Sequence, residues 1–331
     1  MTLGRIVRSS IGLVFAVLFL WLVVRHISFE ELTRAFDNAK LGWIVAATLA
    51  FFVGYAFRIE RWRLMLVKDN PELSWRNCAG PLFAGVAANN VLPFRAGDII
   101  RALGFNKRLG ITASVSVTTL LMERALDLLV VLGLLGFMLW IFDLDTHSVI
   151  GVGGLMLGLI TMSVLVILIF PKSLRLLING IERLICRFLP DLEEKVAKQV
   201  RPASALLEYL SQKNLMGQLI GLSTLAWMAE GCVFWFSANA LPSVSEPIAA
   251  WLALSVGTLS TVIPSTPGFI GTFDYFTAQS MALMGNELVA STAYAFTVHA
   301  LLWFPPTIVG GIYLLLNPIG FSKTLELSKH D

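Results

Sequence analysis

Long apolar segments recur along this chain from residue 11 to residue 316, and they limit the fold more than any other feature. Helical segments of this length and composition are able to cross the hydrocarbon core of a bilayer. Only 14% of the residues are charged, whereas soluble proteins have about 25%. The longest polar stretch, 171–214, is too short for a typical soluble domain. We therefore expect an all-α polytopic protein in which residues 1–331 form one integral membrane domain.

The apolar segments divide into full spans and interrupted stretches. Six full spans are expected, at 11–27, 41–57, 111–142, 149–170, 215–239 and 288–316. Two further stretches, about 75–105 and about 247–285, are cut by prolines and polar residues, so we expect re-entrant hairpins of broken helices. With this threading, 21 of the 25 Lys and Arg residues lie on the cytoplasmic side, as the positive-inside rule requires. Both termini are then predicted to be cytoplasmic.

The two interrupted stretches also indicate a repeat. Residues 91–99 and 262–270 share four of nine identities, which is weak evidence in a chain rich in Val and Ile. The threading, however, gives the two hairpins opposite orientations. Together these features favour an inverted repeat of 1–170 and 215–331, the arrangement of transporters whose broken helices meet near the bilayer midplane. The connector 171–214 has amphipathic spacing, typical either of helices on the cytoplasmic leaflet or of a solvated helix pair.

Prolines and glycines mark the two predicted breaks. The expected hinge residues are Pro93, Gly97, Pro264, Pro267, Gly268 and Gly271. Thr266 followed by Pro267 is typical of a helix start, with an N-cap residue and then proline in the first turn. A helix N-terminus is therefore expected to point into the membrane interior from each hairpin.

Ionisable side chains within spans cost about 2.5–3.5 kcal/mol each on insertion scales, so they normally face a cavity or a partner. Arg58, Arg61 and Trp62 lie at the end of the second span, where a belt of interfacial side chains is expected. Arg95 and Arg101 each lie three residues from Asp98, and this spacing predicts contacts with that carboxylate. The arginines and the helix start favour an anion site, most simply for a phosphate. A structural Arg-Asp-Arg clamp is the alternative.

Further charges lie inside the third span and in the second half. Arg124 is expected to pair with Asp127 on the same helix, and Glu123 then remains as a surplus carboxylate. Such a carboxylate is either protonated or binds a cation such as an amine. In the second half, Glu230, Asp274 and His299 are candidates for the same roles, although a membrane histidine is more often a hydrogen-bonded core residue.

Four motifs in this chain resemble a known family. They are Arg58 with Arg61-Trp62; Asn90-x-x-Pro93-x-Arg95-x-Gly97-Asp98-x-x-Arg101; Glu123-Arg124-x-x-Asp127; and Pro264-x-x-Pro267-Gly268-x-x-Gly271-x-x-Asp274. Together they resemble the transmembrane, flippase-like region of lysylphosphatidylglycerol synthases, or multiple peptide resistance factor, in its free-standing form. The family usually has Glu where this chain has Asp98 and Asp274, and commonly an Arg near the position of His299.

The resemblance implies a lipid translocase of the bacterial inner membrane that is not an enzyme and needs no cofactor. Its partner would be a phospholipid or polyprenyl-linked lipid whose headgroup bears a phosphate and, in some cases, an aminoacyl group. We assign phosphate binding to Arg95, Arg101, Arg124 and Asn90. We assign amine or proton binding to Asp98, Glu123, Asp127, Glu230, Asp274 and His299.

Three alternatives remain open: a solute or ion transporter, a non-transporting partner of a lipid-modifying enzyme in the cytoplasm, and a membrane enzyme with Glu123 or Asp127 as base. The sequence contains no nucleotide-binding glycine motif. We expect no metal, because paired His or Cys spacing is missing, and no nucleic acid, because the net charge is only +3. G-x-x-x-G spacings such as Gly217 with Gly221 suggest a homodimer.

Overall fold

The computed structural model describes residues 29–92, 95–144, 156, 159–163, 202, 204–210, 212–263 and 267–317, and every regular element in them is helical. The helices are α1 (Phe29–Ala35), α2 (Leu41–Leu66), α3 (Trp75–Val91), α4 (Ala96–Gly104), α5 (Asn106–Leu109), α6 (Ala113–Ile141), α7 (Lys213–Ala240), α8 (Ala250–Ser260), α9 (Thr272–Leu283) and α10 (Leu288–Leu316). Short 3₁₀ turns at Pro247–Ala249 and Pro267–Phe269 precede α8 and α9.

Four of these helices, α2, α6, α7 and α10, are long and apolar enough to cross a membrane. They contain 26 to 29 residues, so each extends roughly 39–44 Å. They match four of the six predicted spans, and the all-α class is confirmed for the described residues. The predicted span at 11–27 lies outside these residues, as does the one at 149–170 apart from residue 156 and the helical segment 159–163.

The order of elements occurs twice along the chain. A long helix, an interrupted pair and a second long helix appear first as α2, α3 with α4, and α6, and again as α7, α8 with α9, and α10. The contacts are also exchanged between the halves: α2 packs along α7, α3 packs against α10, and α8 packs against α6. This order agrees with a repeat. The inversion of the two halves in a membrane, and the entry of the hairpins into it, remain predictions.

The first interrupted pair folds back on itself. α3 begins with a capping box in which Ser74 and Asn77 satisfy each other's backbone N–H groups, and it ends at Val91. The returning helix α4 packs closely, because a Cβ atom on Gly97 would lie 1.9 Å from the carbonyl oxygen of Gly85. Gly97 lies inside α4, so its role is close packing rather than the predicted hinge. Pro93 lies outside the described residues.

The second break is longer than the sequence predicts. Pro267–Phe269 forms a 3₁₀ turn in which Gly268 has a left-handed φ of 69°. α9 begins only at Thr272, with Gly271 as the N-cap residue, and the backbone N–H of Gly271 donates to Asp274 Oδ2 at 2.8 Å. The predicted helix start at Pro267 is therefore wrong, because positive φ angles interrupt the backbone after it. Pro264 and Thr266 lie outside the described residues.

Only the end of the connector is described. Within 204–210, which is helical, Leu206 and Leu210 are buried in the same core cluster as residues from the C-terminal end of α2. Lys68, just beyond α2, donates to the carbonyl of Ala205 and lies 5.7 Å from the ring centre of Tyr209. This part of the connector packs on the protein, whereas the amphipathic stretch at 184–195 lies outside the described residues.

Candidate functional site

A cavity of about 240 Å³, hereafter the central cavity, lies between the two halves and is lined by residues of α2, α3, α4, α6 and α7 and of both breaks. Its described wall contains five arginines and four carboxylates. They are Arg58, Arg61, Arg95, Arg101 and Arg124, with Asp98, Glu123, Asp127 and Glu230. Charged groups at this density among membrane-spanning helices are costly, so they mark a candidate functional site.

Four of the five arginines each pair with one carboxylate from another helix. The pairs are Arg58 with Glu230, Arg61 with Asp127 at 2.6 Å, Arg101 with Glu123, and Arg124 with Asp98 at 2.8 Å. Each pair connects two elements, so the ion pairs also hold α2 to α7, α2 to α6, and α4 to α6. Breaking a buried pair leaves an uncompensated charge and typically costs 3–5 kcal/mol.

These pairs correct the pairing predicted from spacing. Arg124 binds Asp98 on α4 instead of Asp127 on its own helix, because α4 packs against α6. Asp98 has no ion pair with Arg95 or Arg101 among the described residues, and Arg101 instead binds Glu123. The prediction of a surplus carboxylate is therefore wrong, since every carboxylate in the described cavity wall pairs with its own arginine.

Arg58, Arg61 and Trp62, which were predicted to form an interfacial belt, turn towards the interior of the protein, and their depth in the membrane stays a prediction. Arg61 and Trp62 are 2% and 1% exposed, because this end of α2 is enclosed by neighbouring helices. Arg61 donates to Ser223 Oγ at 2.8 Å as well as to Asp127, and all three predicted interfacial residues contact cavity residues. The guanidinium of Arg101 lies 5.0 Å from the ring centre of Trp62.

Arg95 differs from the other four arginines because it has no carboxylate partner among the described residues. Its Nη2 donates to the carbonyl oxygen of Thr261 at 3.2 Å and to Thr261 Oγ1 at 3.0 Å. Its guanidinium lies 5.2 Å from the ring centre of Phe269. Arg95 therefore extends from the first break to the second. Its backbone is left-handed, with φ 51°, a conformation that costs roughly 1–3 kcal/mol in a residue other than glycine.

The second break carries a different polar pair. His299 Nδ1 lies 2.7 Å from Asp274 Oδ1, and His299 Nε2 lies 2.8 Å from the carbonyl oxygen of Gly268. The carbonyl oxygen of Gly268 can only accept a hydrogen bond, so Nε2 carries a proton and donates that bond. One further proton is shared between Nδ1 and Asp274 Oδ1. The pair is electrically neutral whichever partner carries that proton. It holds the start of α9 against α10.

Two further cavities lie next to the central one and share lining residues with it or with each other. A cavity of about 170 Å³ shares Tyr55, Thr261 and Phe269 with the central cavity and extends to His299. Beyond it, His299 and Trp303 also line a third cavity of about 310 Å³. Apart from Asp274 and the two shared residues, this third cavity, hereafter the apolar groove, is lined by Ile270, Phe296, Ala300 and Phe304. The described lining thus changes from charged in the interior to apolar at α9 and α10.

Asn90 does not suit the phosphate role predicted for it. Its side-chain nitrogen already donates to the carbonyl oxygen of Trp303 at 3.2 Å and to Thr307 Oγ1 at 2.8 Å. These bonds hold the end of α3 against α10. Asn89 was not among the predicted site residues. Its amide nitrogen donates to Asp98 Oδ1 at 2.9 Å and its oxygen accepts from the Asp98 N–H.

Thr261 is a second residue that was not predicted, and only its position beside the predicted break could have revealed it.

The cavity wall also contains buried polar atoms without a hydrogen-bond partner. Glu123 Oε1 and Arg61 Nε are buried and have no partner among the described residues. Buried polar atoms of this kind are rare and call for an explanation. Within the described residues, no cluster of His, Cys, Asp and Glu is suited to hold a metal ion.

Residues 9–310 match the family described as the lysylphosphatidylglycerol synthase TM region. The chain is 28% identical to a protein named Glycosyltransferase AglD from Haloferax volcanii, over 95% of this chain but only 55% of that protein. It is 21% identical to a UPF0104 membrane protein of Methanocaldococcus jannaschii, with 94% of this chain and 96% of the relative covered. A UPF0104 membrane protein of Pyrococcus horikoshii is 20% identical, with 93% and 95% covered. The chain thus spans about half the length of the Haloferax protein.

Proposed function

Because this chain belongs to the family of the lysylphosphatidylglycerol synthase transmembrane region, we propose that it is a lipid translocase. It moves a phosphate-bearing headgroup, on a phospholipid or a polyprenyl-linked lipid, between the two leaflets of the membrane. Aminoacylated lipids belong to the same proposed substrate class. The observation that carries the proposal is the position of Arg95, a cation without a carboxylate partner among the described residues, where the two breaks meet.

The charge at Arg95 supports an anionic ligand. A guanidinium presents N–H groups in a planar fork that matches two oxygens of a phosphate. Both forks include Nη2, which donates to Thr261, so Nη1 and Nε, which make no hydrogen bond among the described residues, are each available to donate singly to a phosphate oxygen. We assign the first phosphate contact to Arg95. We assign a second contact to Arg124, whose side chain is 45% exposed even though it pairs with Asp98.

The neighbouring cavities favour a lipid over a soluble solute as the substrate. A headgroup in the central cavity would be surrounded by charged and hydrogen-bonding groups. The path through His299 and Trp303 to the apolar groove would let the hydrocarbon chains stay in an apolar environment. Uptake of a water-soluble phosphate compound into vesicles would favour the solute-transporter alternative instead.

The other charged residues predicted for the site receive supporting roles in this proposal. Arg101 with Glu123, Arg58 with Glu230, and Arg61 with Asp127 position the helices around the cavity. The Asp274 and His299 pair holds the second break and carries one exchangeable proton.

The membrane location and the oligomeric state of the protein are proposed on the same basis. We place it in a prokaryotic cytoplasmic membrane with both termini inside; its named relatives come from archaea, and the resemblance implied a bacterial membrane. We propose that it is not an enzyme. A homodimer would use the face of α7 where, among the described residues, no atom of another element lies within 4 Å of a Cβ added at Gly217 or Gly221.

The test is headgroup-labelled lipid exchange in proteoliposomes, scored by the fraction of label accessible to an external quencher. We expect wild-type protein to exchange the label and Arg95→Ala to lose this exchange. Arg63→Ala is the matched control, because Arg63 pairs with Glu60 on α2 and does not line the central cavity. Equal exchange by wild type and Arg95→Ala would contradict the assignment. Absence of protein-dependent exchange for every labelled lipid would contradict translocation.

A second candidate is a non-transporting partner of a lipid-modifying enzyme. The observation that favours it is the Haloferax relative, which is named a glycosyltransferase and has 45% of its length outside the match to this chain. A membrane region of this kind therefore occurs together with further protein sequence. Folded protein that fails to exchange any labelled lipid, and that increases the activity of an added lipid-modifying enzyme, would support this candidate.

A further inference from the structure

The two breaks are joined by a contact between Arg95 and Thr261. Arg95 is the N-cap residue of α4, and Thr261 is the C-cap residue of α8. Nη2 of Arg95 donates to the carbonyl oxygen of Thr261 at 3.2 Å and to its Oγ1 at 3.0 Å. The ring of Phe269, in the 3₁₀ turn of the second break, lies 5.2 Å from the same guanidinium. The second half of the chain therefore holds Arg95 by the group that would bind a phosphate.

The backbone on both sides of this contact is in an unfavourable conformation. The φ angles of Arg95 and Phe269 are 51° and 61°, in the left-handed region. Residues other than glycine stay in this region only where the surrounding structure holds them, and such residues cluster at functional sites. The contact across the breaks is thus maintained at a conformational cost, which indicates a role beyond packing.

Thr261 and a phosphate would compete for one nitrogen of Arg95. A guanidinium has two forks that match a pair of phosphate oxygens, Nη1 with Nη2 and Nη2 with Nε. Nη2 belongs to both forks, and it already donates to both oxygens of Thr261. A phosphate that binds through either fork therefore competes with the bonds to Thr261. It is able to displace them because a charged phosphate oxygen is a stronger acceptor than a carbonyl or a hydroxyl.

We propose that Thr261 is an internal competitor of the lipid phosphate at Arg95. When no lipid is bound, the two oxygens of Thr261 hold Nη2. A bound phosphate displaces them and takes a complete fork, and Arg95 returns to Thr261 when the phosphate leaves. This inference rests on the proposed translocase function and names the residue that sets the affinity for its substrate. It applies to every phosphate-bearing headgroup in the proposed class, aminoacylated headgroups included.

The competition has a consequence of definite sign. The bonds that Arg95 regains at Thr261 offset part of the energy of phosphate binding, so they weaken binding and favour release. A transport site needs this balance, since its ligand must bind well enough to enter and weakly enough to leave. Removing an oxygen of Thr261 should therefore strengthen phosphate binding, whereas removing an oxygen that contacts the substrate would weaken it.

The test is equilibrium binding of a fluorescent short-chain phosphatidylglycerol to the full chain in detergent. Thr261→Val removes Oγ1 and keeps the volume of the side chain and the backbone carbonyl. We expect the dissociation constant to fall about tenfold, roughly the effect of one hydrogen bond, mainly through slower dissociation. Thr261→Ala also lacks the hydroxyl and is smaller, so it replaces Thr261→Val if the valine variant does not fold.

Two further variants separate competition from a general effect of the substitution. Thr261→Ser is the conservative variant, which retains the hydroxyl and is expected to retain the competition. Thr297→Val is the matched control, because Thr297 Oγ1 donates to a carbonyl of its own helix as Thr261 Oγ1 does. Thr297 is not among the described lining residues of the three cavities. We expect the affinity of Thr297→Val to equal that of wild-type protein.

A double-mutant cycle identifies Arg95 as the group that is competed for. In an Arg95→Gly background Thr261 has no guanidinium to hold, so Thr261→Val should leave the remaining affinity unchanged. A change in affinity that came from altered packing at α8 would persist in this background. Tighter binding by Thr261→Val in the wild-type background and in Arg95→Gly alike would therefore overturn the proposal.

Unchanged or weaker binding in both Thr261→Val and Thr261→Ala would also overturn it. Exchange of labelled lipid by wild-type protein in proteoliposomes is measured in parallel. If wild-type protein exchanges lipid while the Thr261 variants bind no more tightly, the competition is wrong and translocation stands. Failure of wild-type protein to exchange any labelled lipid would overturn the translocase function itself.

Discussion

The two breaks have similar positions in the repeat but different chemistry. At the first, the chain turns into α4 through a left-handed arginine, Arg95, which carries a permanent charge. At the second, the left-handed positions include Gly268 and Gly271, and the polar group is the neutral pair of Asp274 and His299. The repeat thus reproduces the interruption of the helix and not the side chains around it.

This difference assigns separate roles to the two halves. A permanent cation at the first break suits the headgroup anion, whereas the second break supplies acceptors for Arg95 through Thr261 and connects to the apolar groove. We infer that the first half binds the headgroup and the second half shapes its route to the lipid. Each of the following experiments tests whether the two breaks differ in this way.

Arg95→Gly should have the largest effect on exchange and little effect on folding. Glycine adopts the left-handed backbone without strain, so thermal stability should be unchanged or slightly higher. Loss of the charged contact should reduce lipid exchange about 100-fold, because a hydrogen bond to a charged group contributes up to about 3 kcal/mol. Exchange in proteoliposomes and thermal unfolding in detergent measure the two effects. A large loss of stability would instead support the structural-clamp interpretation of Arg95.

Substituting a glycine with alanine should destabilise the protein at both breaks, but for different physical reasons. In Gly97→Ala the new Cβ would lie 1.9 Å from a backbone oxygen, so α3 and α4 would have to separate, at a cost of roughly 1–3 kcal/mol. In Gly268→Ala the nearest atom is Trp303 Nε1 at 2.7 Å, on a side chain, and the positive φ adds strain of at least about 1 kcal/mol. Thermal unfolding measures both changes.

Gly136→Ala on α6 is the control for these substitutions. Within the part of the chain that the structure describes, no atom of another element lies within 4 Å of its added Cβ, and alanine favours helix over glycine by about 1 kcal/mol. We expect unchanged or higher stability. If Gly97→Ala is as stable as this control, α3 and α4 are not packed as closely as the structure indicates.

His299→Arg should have the smallest effect on lipid exchange. We expect a few-fold change in the exchange rate, seen in how that rate depends on pH. When the pair with Asp274 loses its shared proton, a negative charge remains at the second break, beside the proposed anion route. Among the described residues, the other ionised group that lines the 170 Å³ cavity beside His299 is Glu230, which stays paired with Arg58. Histidine titrates near neutral pH whereas arginine does not.

Wild-type exchange should therefore fall as pH rises from 6 to 9, and His299→Arg should show a flatter profile. Exchange rates at matched pH on both sides of the vesicle measure this. Parallel pH profiles for the two proteins would place the titrating group elsewhere.

Local patterns in the sequence predict much of this fold and, as site residues, seven of the nine charged residues of the described cavity wall; Arg58 and Arg61 were expected at the membrane interface instead. Hydropathy locates α2, α6, α7 and α10, and prolines with polar residues locate both breaks. Intramembrane charge identifies the candidate site, since charges are rare in spans unless they have a role.

The arrangement of those charges could not be predicted. Spacing along one helix suggests neighbours such as Arg124 and Asp127, whereas the pairs in the structure join different helices and depend on packing. The burial of Arg61 could not be predicted for the same reason, because it depends on the helices that enclose α2. The prediction of where α9 begins failed because the proline itself does not determine the backbone φ angles that follow it.

The most direct measurement of the central claim is an experimental structure of the protein in nanodiscs that contain phosphatidylglycerol. The account predicts density for a phosphate within hydrogen-bonding distance of Arg95, between the two breaks, with hydrocarbon density continuing towards the apolar groove. A headgroup bound at Asp274 and His299 with Arg95 unoccupied, or lipid found only on the outer surface of the helices, would contradict it.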